Sequence, residues 1–300
     1  MQELDIARVA IALVFFTFAS ASDWRTRRVS NLTWIVLGAI AFAIFWIDML
    51  QRGASPFAQS LLLPSLFLFI DIFWEKGEGA RGIARLASIV LYAMALAWMI
   101  FAAVNVITGQ TGWTPEISGP MIAFAMIIVF ELFYMFDVIK GGADAKAMVC
   151  LAVMFPWYPL VLDGLPIIKP MFDAIPDFFT FALAVLFVGA LFSLALPLFL
   201  LAKNIRAGKK ISGRSFVGFQ LPIDEVNEHF VWLVEWMEDG VPQFSARKPR
   251  DSARIDEDLA ALRAFGRKEV WVTYKIPFIV PLTVGIVFVL IVGNPLFVLY

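Results

Sequence analysis

Residues 177–202 read DFFTFALAVLFVGALFSLALPLFLLA, and Asp177 is the one charged residue in this run. A transmembrane α-helix needs about 20 predominantly apolar residues, so the segment is long enough to cross a bilayer. The whole chain has a similar character, since 61% of its 300 residues are hydrophobic and 16% are charged. Because a soluble protein of this composition would expose large apolar patches, we expect the surrounding solvent to be lipid.

Seven other stretches have the length and composition of membrane spans. They lie at 4–22, 32–50, 58–74, 86–107, 119–138, 145–162 and 276–299. The fold class predicted from this pattern is an all-α polytopic membrane protein with about eight transmembrane helices and a small α+β cytoplasmic module. The module would occupy 203–275, between a transmembrane bundle (1–202) and a C-terminal transmembrane helix (276–300). Within the module, Ile255–Phe265 has helical spacing and Glu269–Tyr274 alternates as a strand does.

The basic residues predict the orientation of the spans. With the N-terminus outside, the cytoplasmic segments 23–31, 75–85, 139–146 and 203–275 hold 3, 3, 2 and 13 basic residues, which is 21 of the 24 Lys and Arg. This distribution follows the positive-inside rule and places both termini outside the cell membrane. The alternative is a re-entrant third segment, which contains Pro64 and Asp71. It would leave seven spans and put the basic 203–275 region outside.

Composition also excludes several classes of protein. A net charge of −1 gives no basic field for nucleic acid. Cys150 is the single cysteine and His229 the single histidine, so the chain has no Cys/His set for a metal site. We therefore expect no metal and no cofactor. Cys150 is read as a small apolar residue and His229 as a surface residue of the module.

Two short polar segments interrupt the apolar pattern at the same predicted membrane face. ASDWRTRRVSN (21–31) follows the first span, and KGGADAK (140–146) precedes the sixth. Each contains one aspartate, Asp23 or Asp144. The helix macrodipole favours a carboxylate at the start of a helix and disfavours one at its end. A capping role therefore explains Asp144 but does not explain Asp23.

Two neighbouring carboxyl groups support a specific chemistry. Like charges about 3 Å apart cannot both ionise, so one pKa rises and the pair shares a proton. The ionised partner can then take a proton from water while the protonated partner supports the carbonyl oxygen. This is general acid–base hydrolysis of a peptide bond.

The two segments together resemble the archaeal preflagellin peptidases, which belong to the type IV prepilin peptidase family of membrane aspartic proteases. The tail Val270–Pro281 (VWVTYKIPFIVP) is also similar to the C-terminal region of those peptidases. The resemblance implies a membrane-embedded aspartic endopeptidase whose catalytic residues are Asp23 and Asp144. Its substrates would be preflagellin or pilin-like precursors, cleaved at the cytoplasmic face after a short basic leader.

The sequence departs from that family at three points. The broader motif reads Gly-x-Gly-Asp, whereas here Ala143 replaces the second glycine. Members of the group are described with six spans, and the pattern here gives eight, with the surplus between the two aspartates. Bacterial relatives carry a four-cysteine zinc segment, which one cysteine cannot form, so methylation of the new N-terminus is not implied.

Other polar residues are candidates to support the site. Gly141, Gly142 and Ala143 shape the turn before Asp144. Lys146 would point away from Asp144 on a helix and is read mainly as an anchor at the membrane interface. Glu131 and Asp71 lie inside apolar spans, where an acid is a functional candidate by default; Glu131 would either tune the aspartate pair or bond a neighbouring helix.

An acidic stretch of the module suggests how a basic leader is recognised. Phe216–Ala246 contains no Lys or Arg, and its acids are interleaved with aromatic residues. The candidate leader-binding acids are Asp224, Glu225, Glu228, Glu235, Glu238 and Asp239. The alternative is that these acids form the solvated face of an amphipathic element.

Two other functions remain open at this point. A secondary transporter would use Asp71, Glu131 and Asp23 as titratable relays. A scaffold for a filament platform would need no aspartate pair. A cleavage assay that compares the parent with Asp23→Asn and Asp144→Asn distinguishes these functions from the peptidase.

Overall fold

A computed structural model describes residues 2–74, 81–162, 165–167, 180–245 and 254–294. The chain divides into two compact units. One consists of Met1–Ala190 with Phe278–Tyr300, and the other is Leu191–Pro277. The predicted segments 75–80, 246–253 and 295–300 lie outside the described residues, together with parts of 163–179.

The first unit is a helical bundle. Its helices are α1 (Gln2–Thr26), α2 (Asn31–Gln51), α3 (Pro56–Ser60), α4 (Leu62–Phe73), α5 (Arg81–Ile107), α6 (Pro115–Met135), α7 (Gly142–Met154), α8 (Phe181–Ser193) and α11 (Ile279–Ile291). Serine caps fix two of the starts, because the Ser30 hydroxyl accepts the Leu32 N–H (3.3 Å) and the Ser55 hydroxyl accepts the Ala58 N–H (3.2 Å).

Six helical segments among the described residues are long and apolar enough to cross a membrane. They are Gln2–Thr26, Asn31–Gln51, Pro56–Phe73, Gly82–Ile107, Pro115–Met135 and Phe181–Arg206. The third predicted span is therefore realised, at 18 residues, by α3 and α4 together. The chain is a polytopic membrane protein.

Two of the eight predicted spans contain shorter helices among the described residues. The predicted spans 145–162 and 276–299 correspond to α7 and α11, which have 13 residues each. At about 1.5 Å per residue each is roughly 20 Å long, against about 30 Å of hydrocarbon. The helix α7 ends at Met154 because Phe155, which precedes Pro156, adopts φ −125° and ψ 71°. The predicted end of the last span lies outside the described residues.

Aromatic and aliphatic side chains fill the centre of the bundle. The rings of Phe16 and Trp34 meet edge to face at 5.3 Å and join α1 to α2. The thiol of Cys150, which is fully buried, donates to the Trp34 carbonyl oxygen at 3.2 Å and joins α7 to α2. The expectation that Cys150 is a packed apolar residue is confirmed.

The second unit contains a small β-containing module. Its elements are α9 (Ala195–Arg206), β1 (Phe219–Pro222), β2 (Val231–Leu233), β3 (Glu235–Glu238), β4 (Val241–Phe244), α10 (Ile255–Ala264) and β5 (Glu269–Tyr274), with 3₁₀ turns at Gly213–Phe216 and Ile223–Glu228. The central strand β5 pairs antiparallel with β1 and β2, and β3 pairs with β4. Leu259 and Leu262 of α10 contribute to its buried core. The predicted strand Glu269–Tyr274 and the predicted helix at Ile255–Phe265 are confirmed.

Candidate active site

The two polar segments found in the sequence meet at one end of the bundle. Lys146, two residues after Asp144, donates from Nζ to Oδ1 of Asn31 at 2.7 Å. The Lys146 ammonium also lies 5.2 Å from the ring centre of Phe73, the last residue of α4. The end of α1, the start of α2, the end of α4 and the start of α7 therefore share this end of the bundle.

The Asp23 segment is a tight reversal held by its own side chains. The helix α1 ends where Arg27 adopts a left-handed φ of 55°, and the Arg27 N–H bonds the Asp23 carbonyl at 2.9 Å. The hydroxyls of Ser22 and Thr26 both donate to the carbonyl of Arg28, at 2.8 and 3.1 Å. These bonds hold the backbone of the segment that carries the Asp23 side chain.

The start of α11 faces the Asp23 side chain. The backbone N–H of Ile279, the first residue of α11, lies close enough to the Asp23 carboxylate to interact with it. A hydrogen bond of 2.7 Å between the hydroxyls of Ser20 and Thr283 fastens α11 to α1 one turn away. A helix N-terminus favours negative charge, so α11 offsets the unfavourable position of Asp23 at the end of α1. Sequence reasoning missed Ile279, although a helix start had been predicted on this same face.

Asp144 lies in the first turn of α7, folded over the glycine that precedes the helix. A Cβ atom added at Gly141 would lie 2.2 Å from Oδ2 and 2.9 Å from Cγ of Asp144. A Cβ at Gly142 would meet the Tyr134 hydroxyl at an ordinary 3.6 Å. A side chain at position 141 would therefore displace the Asp144 carboxyl, whereas position 142 has room for one. Ala143 follows within the helix, partly buried.

Burial dominates the electrostatics of Asp144, which lies outside the six spanning helices. Desolvation, and to a smaller extent the negative charge of Asp23, raise the pKa of Asp144 to about 7. The two carboxyl groups are thus close enough to interact. Near neutral pH, Asp144 can hold a proton and still release it.

Two comparisons with known proteins bear on this site. Residues 213–294 match the family model described as Archaeal Peptidase A24 C-terminus Type II. The chain is also 27% identical over 177 residues to the preflagellin peptidase of Methanocaldococcus jannaschii, covering 56% of this chain and 69% of that protein. Both matches are to archaeal peptidases, and the second is to a preflagellin peptidase.

Two other acids of the bundle, Asp71 and Glu131, are bonded to a neighbouring helix. Asp71 of α4 accepts a hydrogen bond of 2.6 Å from the Ser88 hydroxyl of α5. Glu131 of α6 is hydrogen-bonded to the side chain of Tyr92, also on α5. Two roles were predicted for Glu131, namely tuning the aspartate pair or bonding a neighbouring helix. The structure shows the bond to a neighbouring helix. A role for Glu131 in supporting the aspartate pair stays a prediction.

The six acids predicted to bind a leader have different surroundings within the module. Glu225, Glu228, Glu238 and Asp239 are exposed. Asp224 forms an ion pair with Arg263 at the surface. Glu235 differs from the expectation of an exposed acid, since it is 2% exposed.

The burial of Glu235 has a clear structural cause. Its Oε2 atom accepts the Trp271 N–H of β5 at 3.1 Å, and its Oε1 atom lies 3.0 Å from Arg267. A carboxylate engaged in this way links β3 to β5. We therefore treat Glu235 as a structural residue of the module and not as a contact for substrate.

Sequence reasoning also missed a buried ion network in the bundle. Arg8 of α1 is 3% exposed and bonds Asp48 of α2 at 2.7 Å and Asp5 at 3.0 Å. Arg52 completes the network with a 2.9 Å contact to Asp48, and its guanidinium lies 4.3 Å from the Trp157 ring centre. The available signal was a pair of opposite charges, Arg8 and Asp48, inside two predicted adjacent spans.

Proposed function

We propose that this peptidase is an aspartic endopeptidase in which Asp23 and Asp144 act as a pair on water and a peptide bond. The observation that carries the proposal is the position of Asp144, whose partly buried carboxyl lies over Gly141 and interacts electrostatically with Asp23. Two acids in different environments can divide the roles of proton acceptor and proton donor.

The surroundings of the two carboxyl groups support one division of these roles. Asp23 lies beside the Ile279 N–H at the start of α11, and a helix N-terminus favours a neighbouring negative charge. Asp144 is desolvated, and its pKa of about 7 favours the protonated form below neutrality. In this proposal Asp23 is the base and Asp144 the acid of the resting pair.

The reaction then proceeds through proton transfers that balance. Asp23 accepts a proton from water as the water oxygen bonds to the carbonyl carbon, and Asp144 gives its proton to the carbonyl oxygen. When the tetrahedral intermediate collapses, the C–N bond breaks and Asp23 passes its proton to the leaving amine. A hydroxyl proton of the intermediate returns to Asp144, so the pair ends as it began.

A cleavage assay on a preflagellin precursor tests the proposal. We expect Asp23→Asn and Asp144→Asn each to abolish turnover while the protein remains folded, because Asn keeps the shape of the side chain. Asp71→Asn is the matched control, since Asp71 is another acid of the bundle but is bonded to Ser88. Turnover by Asp144→Asn equal to the parent would refute the aspartic mechanism.

The substrate class follows from the relatives and from the charge of the module. The related protein is named a preflagellin peptidase, and we propose that this chain cleaves preflagellin or pilin-like precursors after a short basic leader. Four exposed acids, namely Glu225, Glu228, Glu238 and Asp239, would attract such a leader.

We further propose that the end of the bundle with the two aspartates faces the cytoplasm. The segments predicted to be cytoplasmic contain 21 of the 24 basic residues. Within the bundle, the contacts of Lys146 with Asn31 and Phe73 bring three of the corresponding helix ends together. Both chain termini would then be external.

A further inference from the structure

We infer that the hydrogen bond between Lys146 and Asn31 is a positioning device that sets the Asp144 carboxyl against Asp23. The inference rests on the proposed aspartic mechanism and adds Asn31 to the site as a positioning residue. It begins from a single contact, the 2.7 Å bond from Lys146 Nζ to Asn31 Oδ1.

Each end of this bond is rigidly connected to one aspartate. Asn31 is the first residue of α2, directly after its cap Ser30, and the reversal from Asp23 to Arg28 is closed by the hydroxyls of Ser22 and Thr26. Lys146 and Asp144 lie in the first turn and a half of α7. The bond between Lys146 and Asn31 therefore connects the segment that carries Asp23 to the segment that carries Asp144. Little backbone freedom remains between the bond and either carboxyl group.

A second contact defines the direction of the two helices. One turn further along both α2 and α7, the Cys150 thiol donates to the Trp34 carbonyl at 3.2 Å. The two contacts follow each other in the same order along both helices. The helices α2 and α7 therefore run parallel and begin at the same level. If α7 slid along α2, Asp144 would move away from Asp23. The Lys146–Asn31 bond opposes this movement, because it lies at the end of the two helices where the carboxyl groups are.

The action of Lys146 is geometric and not a direct charge effect on the acid. The causes that raise the pKa of Asp144 are burial and the charge of Asp23. A cation is also disfavoured at the start of a helix, and Lys146 lies at the starts of both α2 and α7. Its ammonium is held there by Asn31 and by the face of Phe73, 5.2 Å away.

Misplacement of reacting groups by about 1 Å can reduce turnover roughly a hundredfold. We therefore expect Lys146→Met and Asn31→Leu each to lower kcat by roughly tenfold to a hundredfold, with KM within about twofold of the parent. The double variant should be no worse than the poorer single variant, because both remove the same bond. Lys146→Arg, which keeps a donor of similar reach, should recover most of kcat.

The experiment uses the full-length enzyme in lipid–detergent micelles, with a purified preflagellin precursor and the thermal unfolding midpoint recorded for each variant. Trp98→Phe is the matched control, because it also removes an interhelical side-chain bond, from Trp98 Nε1 to the Ser60 hydroxyl (3.2 Å), and Trp98 has no part in the site. It should keep the parent's kcat. If Asn31→Leu fails to fold, the comparison of Lys146→Met with Lys146→Arg decides alone.

Three results would overturn the inference. They are parental kcat in both single variants, additive losses in the double variant, and a loss of kcat that Lys146→Arg does not recover. If one of these results is obtained while Asp144→Asn is inactive in the same assay, the inference fails but the proposed function is retained. Full turnover by Asp144→Asn would instead remove the proposed function on which the inference rests.

Discussion

Gly141 lies directly beneath the carboxyl group of Asp144, where a Cβ atom would be 2.2 Å from Oδ2. The contact joins the end of the Asp144 side chain to Gly141, the residue before α7. A methyl group at position 141 would therefore move the carboxyl and not the backbone. The absence of a side chain at position 141 thus leaves room for the acid. The nearby Gly142 has no such restriction.

We expect Gly141→Ala to displace the Asp144 carboxyl and lower kcat by roughly a hundredfold, the cost of a misplacement of about 1 Å. Gly142→Ala adds the same methyl at an ordinary distance of 3.6 Å from Tyr134, so its loss should be much smaller. Steady-state cleavage by both variants, with unfolding midpoints, makes the comparison. Equal activity in the two variants would show that position 141 does not shape the site.

The pH dependence of cleavage should have an alkaline limb near neutrality. The pKa of Asp144 is raised to about 7, so the carboxyl is protonated below that pH and ionised above it. The proposed mechanism requires the proton on Asp144, and kcat should therefore fall as pH rises through about 7. Single-turnover cleavage between pH 5 and 9 measures the limb, with circular dichroism to confirm that the fold persists. A flat profile up to pH 9 would contradict Asp144 as the acid.

Much of this architecture could be predicted from composition and periodicity. Apolar runs located the helices, and the alternation of EVWVTY located β5 at Glu269–Tyr274. The lengths of α7 and α11 could not be predicted, because apolar residues continue past the helix ends. The conformation of Phe155 before Pro156 ends α7, and hydropathy does not report backbone angles.

The site was predictable in its residues but not in its contacts. Asp23 and Asp144 were named from two motifs, whereas Ile279 and Asn31 were not. Their contacts depend on the rotation and register of helices far apart in sequence, as in the 115-residue separation of Lys146 from Asn31. The burial of Glu235 had the same origin, since its partners Arg267 and Trp271 lie outside the acidic stretch.

Glu235→Ala should destabilise the module, because it leaves the Trp271 N–H without its acceptor and Arg267 without its partner. An unsatisfied buried donor costs about 1–3 kcal/mol. The matched control is Asp224→Asn, which breaks the exposed pair with Arg263 and should change stability little. Protease sensitivity of the module within the full-length protein measures the difference. Equal resistance in the two variants would contradict a structural role for Glu235.

The four exposed acids should matter together and not singly. A solvated charge pair contributes about 1 kcal/mol or less, and about 1.4 kcal/mol is a tenfold change in affinity. Neutralising Glu225, Glu228, Glu238 and Asp239 should raise KM for a basic-leader precursor by roughly tenfold, with kcat little changed because charge contacts with the leader hold the ground state and the transition state equally. Steady-state kinetics at several salt concentrations measure both effects.

Asp256→Asn with Glu257→Gln is the control for that experiment, since it removes two exposed acids of α10 in the same module. It should leave KM nearly unchanged. Added salt should weaken substrate capture by the parent more than by the quadruple variant. If the quadruple variant keeps both the KM and the salt response of the parent, the acids are only a solvated face.

The orientation of the bundle can be tested by cysteine labelling, because the native Cys150 is fully buried and gives little background. Exposed positions are available on both sides, at Gln110 after α5 and at Lys210 after α9. The charge distribution predicts that Gln110 is external and Lys210 cytoplasmic. A membrane-impermeant maleimide should therefore label Gln110→Cys in intact cells and Lys210→Cys only after permeabilisation. The reverse pattern would place the two aspartates on the outer face, away from a leader that remains in the cytoplasm.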